Sequence, residues 1–266
     1  MSKSLVEKQF GAHAARYVNS PVHAKGASLQ RLVDLVKPQA HWHALDVATA
    51  AGHTALAFAP HVVHVIASDL TDEMLVEAGK LAASRGVSNL ETAKADAEAL
   101  PFASASFDLV TCRIAPHHFP DAACFVSEVW RVLKPGGTFG LVDNISPDAQ
   151  STPGYSDAEL NVAAKTYNDF ERLRDPSHGR CLPIGEWRRI ISDAGFAITH
   201  QEVLPKTMDF LTWGERMDVP QADMKRLEAV LIEASPALAA FLRPRRDDDG
   251  RLSFTLDEVL IIARKP

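Results

Sequence analysis

Cysteine is scarce in this chain. Cys112, Cys124 and Cys181 are widely spaced and odd in number, so they support neither a disulfide framework nor a zinc knuckle. No His-x-x-x-His falls on a predicted helix, and no metal is expected. Positive charge is not in excess: 28 Lys and Arg against 34 Asp and Glu give a net charge of −6. That argues against nucleic acid as a partner. Long apolar runs are missing too. A run such as Val259–Ala263 is far short of the roughly 20 residues that a membrane span needs. Met1–Phe10 lacks the apolar centre of a signal peptide. No membrane span and a reducing, cytoplasmic setting are expected. The chain also lacks Gly-x-Gly-x-x-Gly, the phosphate loop that a Rossmann dehydrogenase needs.

What is present is an apolar fraction of 46% in 266 residues, enough for one large α/β core. Helices are expected over 3–18 and 23–36, where Leu29, Leu32, Val33 and Val36 recur at three and four. A strand over 43–48 follows, then a helix over 52–59 stopped by Pro60. Val62–Ala67 is β-branched and continuous, as in a strand buried on both faces. Thr71 is placed to cap a helix over 72–84. Strands at 90–94 and 107–112, a helix over 121–133 and a strand at 138–142 complete a steady alternation. That rhythm implies βαβ units and a parallel sheet. Beyond about residue 145 it loosens. Helices over 156–173 and 185–194, a strand over 196–203, a Pro- and charge-rich insertion over 205–250 with a helix at 221–233, and a last strand over 256–263 are expected. The domain reading is a helical cap over 1–40, an α/β core over 41–145, and insertions plus remaining strands over 146–266.

Several residues could carry chemistry. Ala48–Gly52 are small residues between a strand and a helix, where backbone can approach a ligand closely. A tight turn with no ligand explains them equally well. Asp69 lies 23 residues after Asp46, at the end of the second strand, where an acid accepts hydrogen bonds from ribose hydroxyls. Its bland alternative is a helix cap. Asp96 and Ala97 follow the third strand, where a carboxylate and a backbone N–H can read an adenine edge. Arg113–Phe119 leaves the carboxyl end of the fourth strand and carries His117 and His118. Either could be a general base, and the other a packed histidine; His117 is favoured as the base.

Five segments together resemble a known family: Leu-Asp-Val-Ala-Thr-Ala-Ala-Gly-His-Thr (45–54), Ser-Asp-Leu-Thr-Asp-Glu-Met-Leu (68–75), Ala-Asp-Ala-Glu-Ala-Leu-Pro-Phe (95–102), Ser-Phe-Asp-Leu-Val (106–110) and Leu-Lys-Pro-Gly-Gly (133–137). In this order and spacing they look like a class I S-adenosylmethionine-dependent methyltransferase, in the branch of the ubiquinone/menaquinone-biosynthesis C-methyltransferases. The resemblance implies a doubly wound, mostly parallel seven-stranded sheet, Rossmann-like, with N-terminal helices and a C-terminal insertion forming a lid. It implies S-adenosylmethionine as cofactor and a small-molecule acceptor. Asp46, Ala48, Ala50 and Gly52 would form the cofactor loop, Asp69 would hold the ribose with Leu70 beside the adenine, Asp96 and Ala97 would read the adenine, and Arg113 would lie near the methionine moiety. Tyr17, with His23, would cap the donor site, making Tyr17 and His117 the catalytic candidates. Phe10 is read as packing. Arg174–His178, Trp187, Trp213 and Met217 are read as lid, either lining an apolar pocket or simply packing.

Two positions depart from the family. Its loop is usually Gly-x-Gly-x-Gly, and here the first two glycine places hold Ala48 and Ala50. If Ala50 has positive φ, its methyl group costs roughly 1–2 kcal/mol. If φ is negative, the methyl projects toward the ligand. Ala50 keeps open a different one-carbon reaction with a folate or modified donor, and beside it a non-catalytic binding protein that retains the fold.

Overall fold

In the computed structural model, which describes residues 3, 5, 7, 9, 11 and 26–266, alternation becomes architecture. The first compact unit holds the described residues up to Asp143, with Arg188–Glu202 and Leu260–Pro266. Helix α1 (Ala27–Val36) buries Leu29, Leu32, Val33 and Val36, the stripe that its spacing predicts. Strand β1 (His43–Val47), helix α2 (His53–Phe58), strand β2 (His64–Asp69), helix α3 (Asp72–Ser84) and strand β3 (Leu90–Lys94) follow. Strand β4 (Phe107–Arg113), helix α4 (Ala122–Val132) and strand β5 (Leu133–Asn144) continue the rhythm. Helix α4 buries Phe125, Val126, Val129 and Val132.

Strands β1 to β5 are parallel and ordered β3-β2-β1-β4-β5. The chain builds outward from β1 to β3, then returns to start β4 on the other side of β1. That reversal opens a crevice at the carboxyl ends of β1 and β4, where open α/β sheets bind ligands. Register brings the ends level: Val47 pairs with Ser68 and Cys112, Asp69 with Lys94, and Arg113 with Val142. Strands β6 (Ala197–Asp209) and β8 (Leu252–Arg264) finish the order as β5-β8-β6. The Lys265 N–H donates to the Gly137 carbonyl, and the Ile145 N–H to the Asp257 carbonyl. As β5 rises its partners on β8 descend, so this pair is antiparallel.

The second unit comprises Asn144–Trp187 and Val203–Val259. It contains helix α5 (Asp157–Arg174), the start of α6 (Ile184–Asp193), α7 (Phe210–Glu215), α8 (Gln221–Ile232) and α9 (Pro236–Leu242). Ser156 and Glu159 cap α5 reciprocally. Phe170 stacks on Trp213 at 4.9 Å and 11°, and Phe254 meets both edge-on. Trp187, Trp213 and Met217 are buried, so of the two readings of these side chains the packing one describes them.

Several element bounds differ from the sequence reading. Strand β5 begins at Leu133 rather than 138. The Lys-Pro-Gly-Gly stretch ends α4 and is itself the start of the strand. Gly137 is required there, because a Cβ would lie 2.8 Å from the Lys134 carbonyl oxygen. Strands β6 and β8 run to 13 residues each, longer than their apolar stretches. Helices α7 and α9 and the short strand β7 (Arg245–Arg246) occupy the insertion expected to hold a single helix. β7 pairs antiparallel with β8, so the charged tip is a hairpin. Short elements like these carry too few turns for periodicity to reveal.

Candidate functional site

The loop after β1 is glycine-like without the glycines. Ala48 has φ 53°, Ala50 φ 48° and Gly52 φ 83°. All three alternate positions are left-handed, so the strained alternative for Ala50 is the one realised. Each alanine pays roughly 1–2 kcal/mol for this backbone. Long-range hydrogen bonds hold it: the Thr49 N–H donates to the Ser68 carbonyl at 2.9 Å, and the Ala50 N–H to Asp69 Oδ2 at 2.9 Å. Gly52 has a second constraint, since a Cβ there would sit 3.0 Å from the Ala78 Cβ.

Asp46 organises the loop from below. It is 1% exposed. Thr49 Oγ1 donates to one carboxylate oxygen at 2.6 Å and Thr111 Oγ1 to the other at 2.7 Å. Burial pushes its carboxyl up to about 6, against lowering by these hydroxyls, the Arg113 charge and the Ala55 N–H. An acid whose pKa rises on folding gains protons on folding. Its stabilising contribution is full below the ordinary value of 3.8 and is lost as pH climbs through about 6. The ionised form then costs about 3 kcal/mol. Asp46→Asn removes that titration. In urea unfolding, wild-type stability relative to the variant should fall by about 2–3 kcal/mol between pH 4 and pH 7. Parallel curves for the two proteins would rule out a buried, titrating Asp46.

Asp69 ends β2 and is 8% exposed. Besides Ala50, its Oδ1 accepts from the Thr71 N–H at 2.9 Å. Burial raises its carboxyl, with the Thr71 and Ala50 N–H groups and the Thr71 hydroxyl opposing. The Thr71 side chain makes no cap bond to α3. This corrects the capping role expected of it: Thr71 occupies the cap position, but its hydroxyl turns back to Asp69. Leu70 follows, half-buried. Asp96 accepts from the Glu98 N–H at 3.0 Å and from Lys3 Nζ at 2.5 Å. Partial burial raises its carboxyl, but the Lys3 ammonium and the Glu98 N–H outweigh that and hold it low. Ala97 is buried beside it.

Arg113 ends β4, buried, with Nε donating to Thr54 Oγ1 at 3.0 Å. The next residue, Ile114, has φ 55°, a genuine outlier for a β-branched side chain. The strained turn leads into Pro116–His118, where both histidines are buried and their rings lie 4.3 Å apart. His117 Nδ1 lies 2.6 Å from Asp143 Oδ1. Asp143 was not among the residues singled out from the sequence. Its one signal there is a strand-end acid in Leu-Val-Asp-Asn (141–144). The loop, Asp69, Leu70, Asp96, Arg113 and His117 thus emerge at the carboxyl ends of parallel strands. Tyr17, Phe10 and His23 lie outside the described residues.

Residues 45–141 match a family model described as a methyltransferase domain. The uncharacterized methyltransferase YcgJ of Bacillus subtilis is 35% identical over 256 residues, covering 96% of this chain and 97% of that protein. A solved structure from Bacillus halodurans C-125, of a proposed methyltransferase, superposes with TM-score 0.82 at 36% identity, covering 91% of this chain and 100% of that one. The ubiquinone/menaquinone biosynthesis C-methyltransferase UbiE of Brucella anthropi is 32% identical over 145 residues, 53% of this chain and 51% of that protein. The C-methyltransferase likeness therefore covers about half of the chain, whereas YcgJ matches it nearly end to end. Among the described residues no helix is long and apolar enough to cross a membrane.

Proposed function

Because this chain belongs to the methyltransferase family that includes YcgJ, we propose that its donor is S-adenosylmethionine and its acceptor a small molecule. The observation that carries this reading is the left-handed loop clamped to Asp69. The residues present fit the donor. Three alternate left-handed positions with side chains no larger than a methyl form a cradle for close approach. The Asp69 carboxylate, with about four lone-pair sites, can accept from two ribose hydroxyls while keeping its Ala50 and Thr71 backbone donors, once the Thr71 hydroxyl turns away from it. Leu70 offers an apolar face to the base. Asp96 offers a low-pKa carboxylate to an exocyclic amine, and the Ala97 N–H a donor to a ring nitrogen.

When bound, S-adenosylmethionine supplies an electrophilic methyl group on a sulfonium. The protein's part is alignment and exclusion of water, which supply much of such a rate. Asp69 and the loop fix the donor's position. Arg113, at the end of β4, would lie near the methionine moiety. His117, on the following turn, takes a proton from the acceptor as the new bond forms.

Calorimetric titration tests the reading. S-adenosylmethionine and S-adenosylhomocysteine should each bind one site and compete with each other. Tetrahydrofolate should displace neither. Saturable binding of tetrahydrofolate with no binding of S-adenosylmethionine would overturn the donor assignment.

A further inference from the structure

We propose that Asp143 is a positioning residue that holds His117 in the tautomer protonated at Nδ1, leaving Nε2 with the lone pair that accepts the acceptor's proton. The destination of that proton rests on the methyltransferase reading above; the pairing itself does not. The contact is 2.6 Å between His117 Nδ1 and Asp143 Oδ1, just under the roughly 2.7–2.9 Å of a charge-assisted N–H···O bond. A carboxylate has no proton to give, so the bridging proton belongs to Nδ1. The reverse arrangement, a neutral acid donating to Nδ1, would put the ring proton on Nε2 and abolish the base.

Three features show that this pairing is built. Asp143 is 0% exposed, and a buried carboxylate is costly unless it is hydrogen-bonded. Parallel register sets Arg113 beside Val142, so the turn after β4 and the last residues of β5 are neighbours. The left-handed Ile114 makes that turn, at a cost of order 1–3 kcal/mol that persists only where the surroundings hold it. Among the described residues, the ionisable groups beside the pair include the His118 ring, 4.3 Å from His117, and the Cys112 thiol of β4, on which the Asp143 charge acts. Burial first, and then the charges of Asp46, Asp143 and Asp69, keep that thiol neutral. It does not compete as a base.

The step balances. The bond from the acceptor's attacking atom to hydrogen breaks, and the proton goes to His117 Nε2. The electron pair left behind forms the bond to the methyl carbon. The carbon–sulfur bond breaks with its pair remaining on sulfur. The resulting imidazolium faces the Asp143 charge, as in a buried acid–histidine pair. The device serves acceptors whose attacking atom must surrender a proton.

The test is a nitrogen-15 histidine NMR experiment on the full chain at neutral pH, with and without S-adenosylhomocysteine. His117→Gln and His118→Gln assign the two rings. In wild type the Nδ1–H tautomer of His117 should exceed the other by about tenfold or more. Asp143→Asn and Asp143→Ala should each erase or reverse that ratio, and Asp143→Glu should restore much of it. A merely structural Asp143 would not move the tautomer. A wild-type His117 protonated at Nε2, or a ratio unchanged in both Asn and Ala variants, overturns the proposal. The spectra without ligand need no donor. An intact tautomer with no calorimetric binding of S-adenosylmethionine therefore removes the donor assignment and leaves the dyad standing.

Discussion

Asp69→Ala is expected to weaken S-adenosylmethionine binding by about 30- to 300-fold. Hydrogen bonds to a charged group are worth roughly 1.5–3 kcal/mol, and each 1.4 kcal/mol is a factor of ten. Two ribose hydroxyls on one buried carboxylate, discounted for shared desolvation, give about 2–3.4 kcal/mol. The loss has a second source. The Ala50 N–H would lose its acceptor at 2.9 Å, and the left-handed loop would lose its clamp. The folded state itself should suffer less, because the substitution also removes a carboxylate that burial disfavours. Calorimetry reads the affinity and a thermal melt reads the fold. An unchanged dissociation constant would sink the ribose assignment.

The largest effect on turnover belongs to His117→Gln. Loss of a positioned base lowers rates by about 10²–10⁴. Glutamine keeps a polar side chain of similar length, so Asp143 retains a donor and the strained turn keeps its anchor. Affinity for S-adenosylhomocysteine should change by no more than about threefold, since an interaction made only in the transition state lowers kcat and leaves ground-state binding alone. Initial rates of S-adenosylhomocysteine release with the acceptor present give kcat, and calorimetry gives the affinity. A variant that loses affinity in proportion to its rate would reassign His117 to donor binding.

Much of the fold was legible in the chain because its signals are local. Helix α3 (72–84) and strand β3 (90–94) carry their own periodicity and their own stop signals, and both match their predicted bounds. Leu29, Leu32, Val33 and Val36 declare a buried face by spacing alone. Asp69 was legible for a related reason: its distance from Asp46 reflects one βαβ unit, a length that the chain itself sets. Helices α7 and α9 were not legible, because six or seven residues span too few turns to show a period. Thr71 shows a different limit. A Thr ahead of an acidic first turn is a fair cap signal, yet its hydroxyl serves the buried Asp69, whose need for donors is greater.

Residue types and their spacing by themselves determined that this protein has parallel βαβ units, that an acid closes β2, and that a loop of small residues follows β1. Tertiary structure alone decided two things. Ala50 is left-handed because Asp69, 19 residues away, accepts its N–H. A backbone dihedral that costs energy locally is set by the partner that repays it, and that partner lies on another strand. His117 has Asp143 because β4 and β5 lie side by side. A pair 26 residues apart leaves no periodic trace in the chain; only sheet register brings the ring and the carboxylate within hydrogen-bond reach.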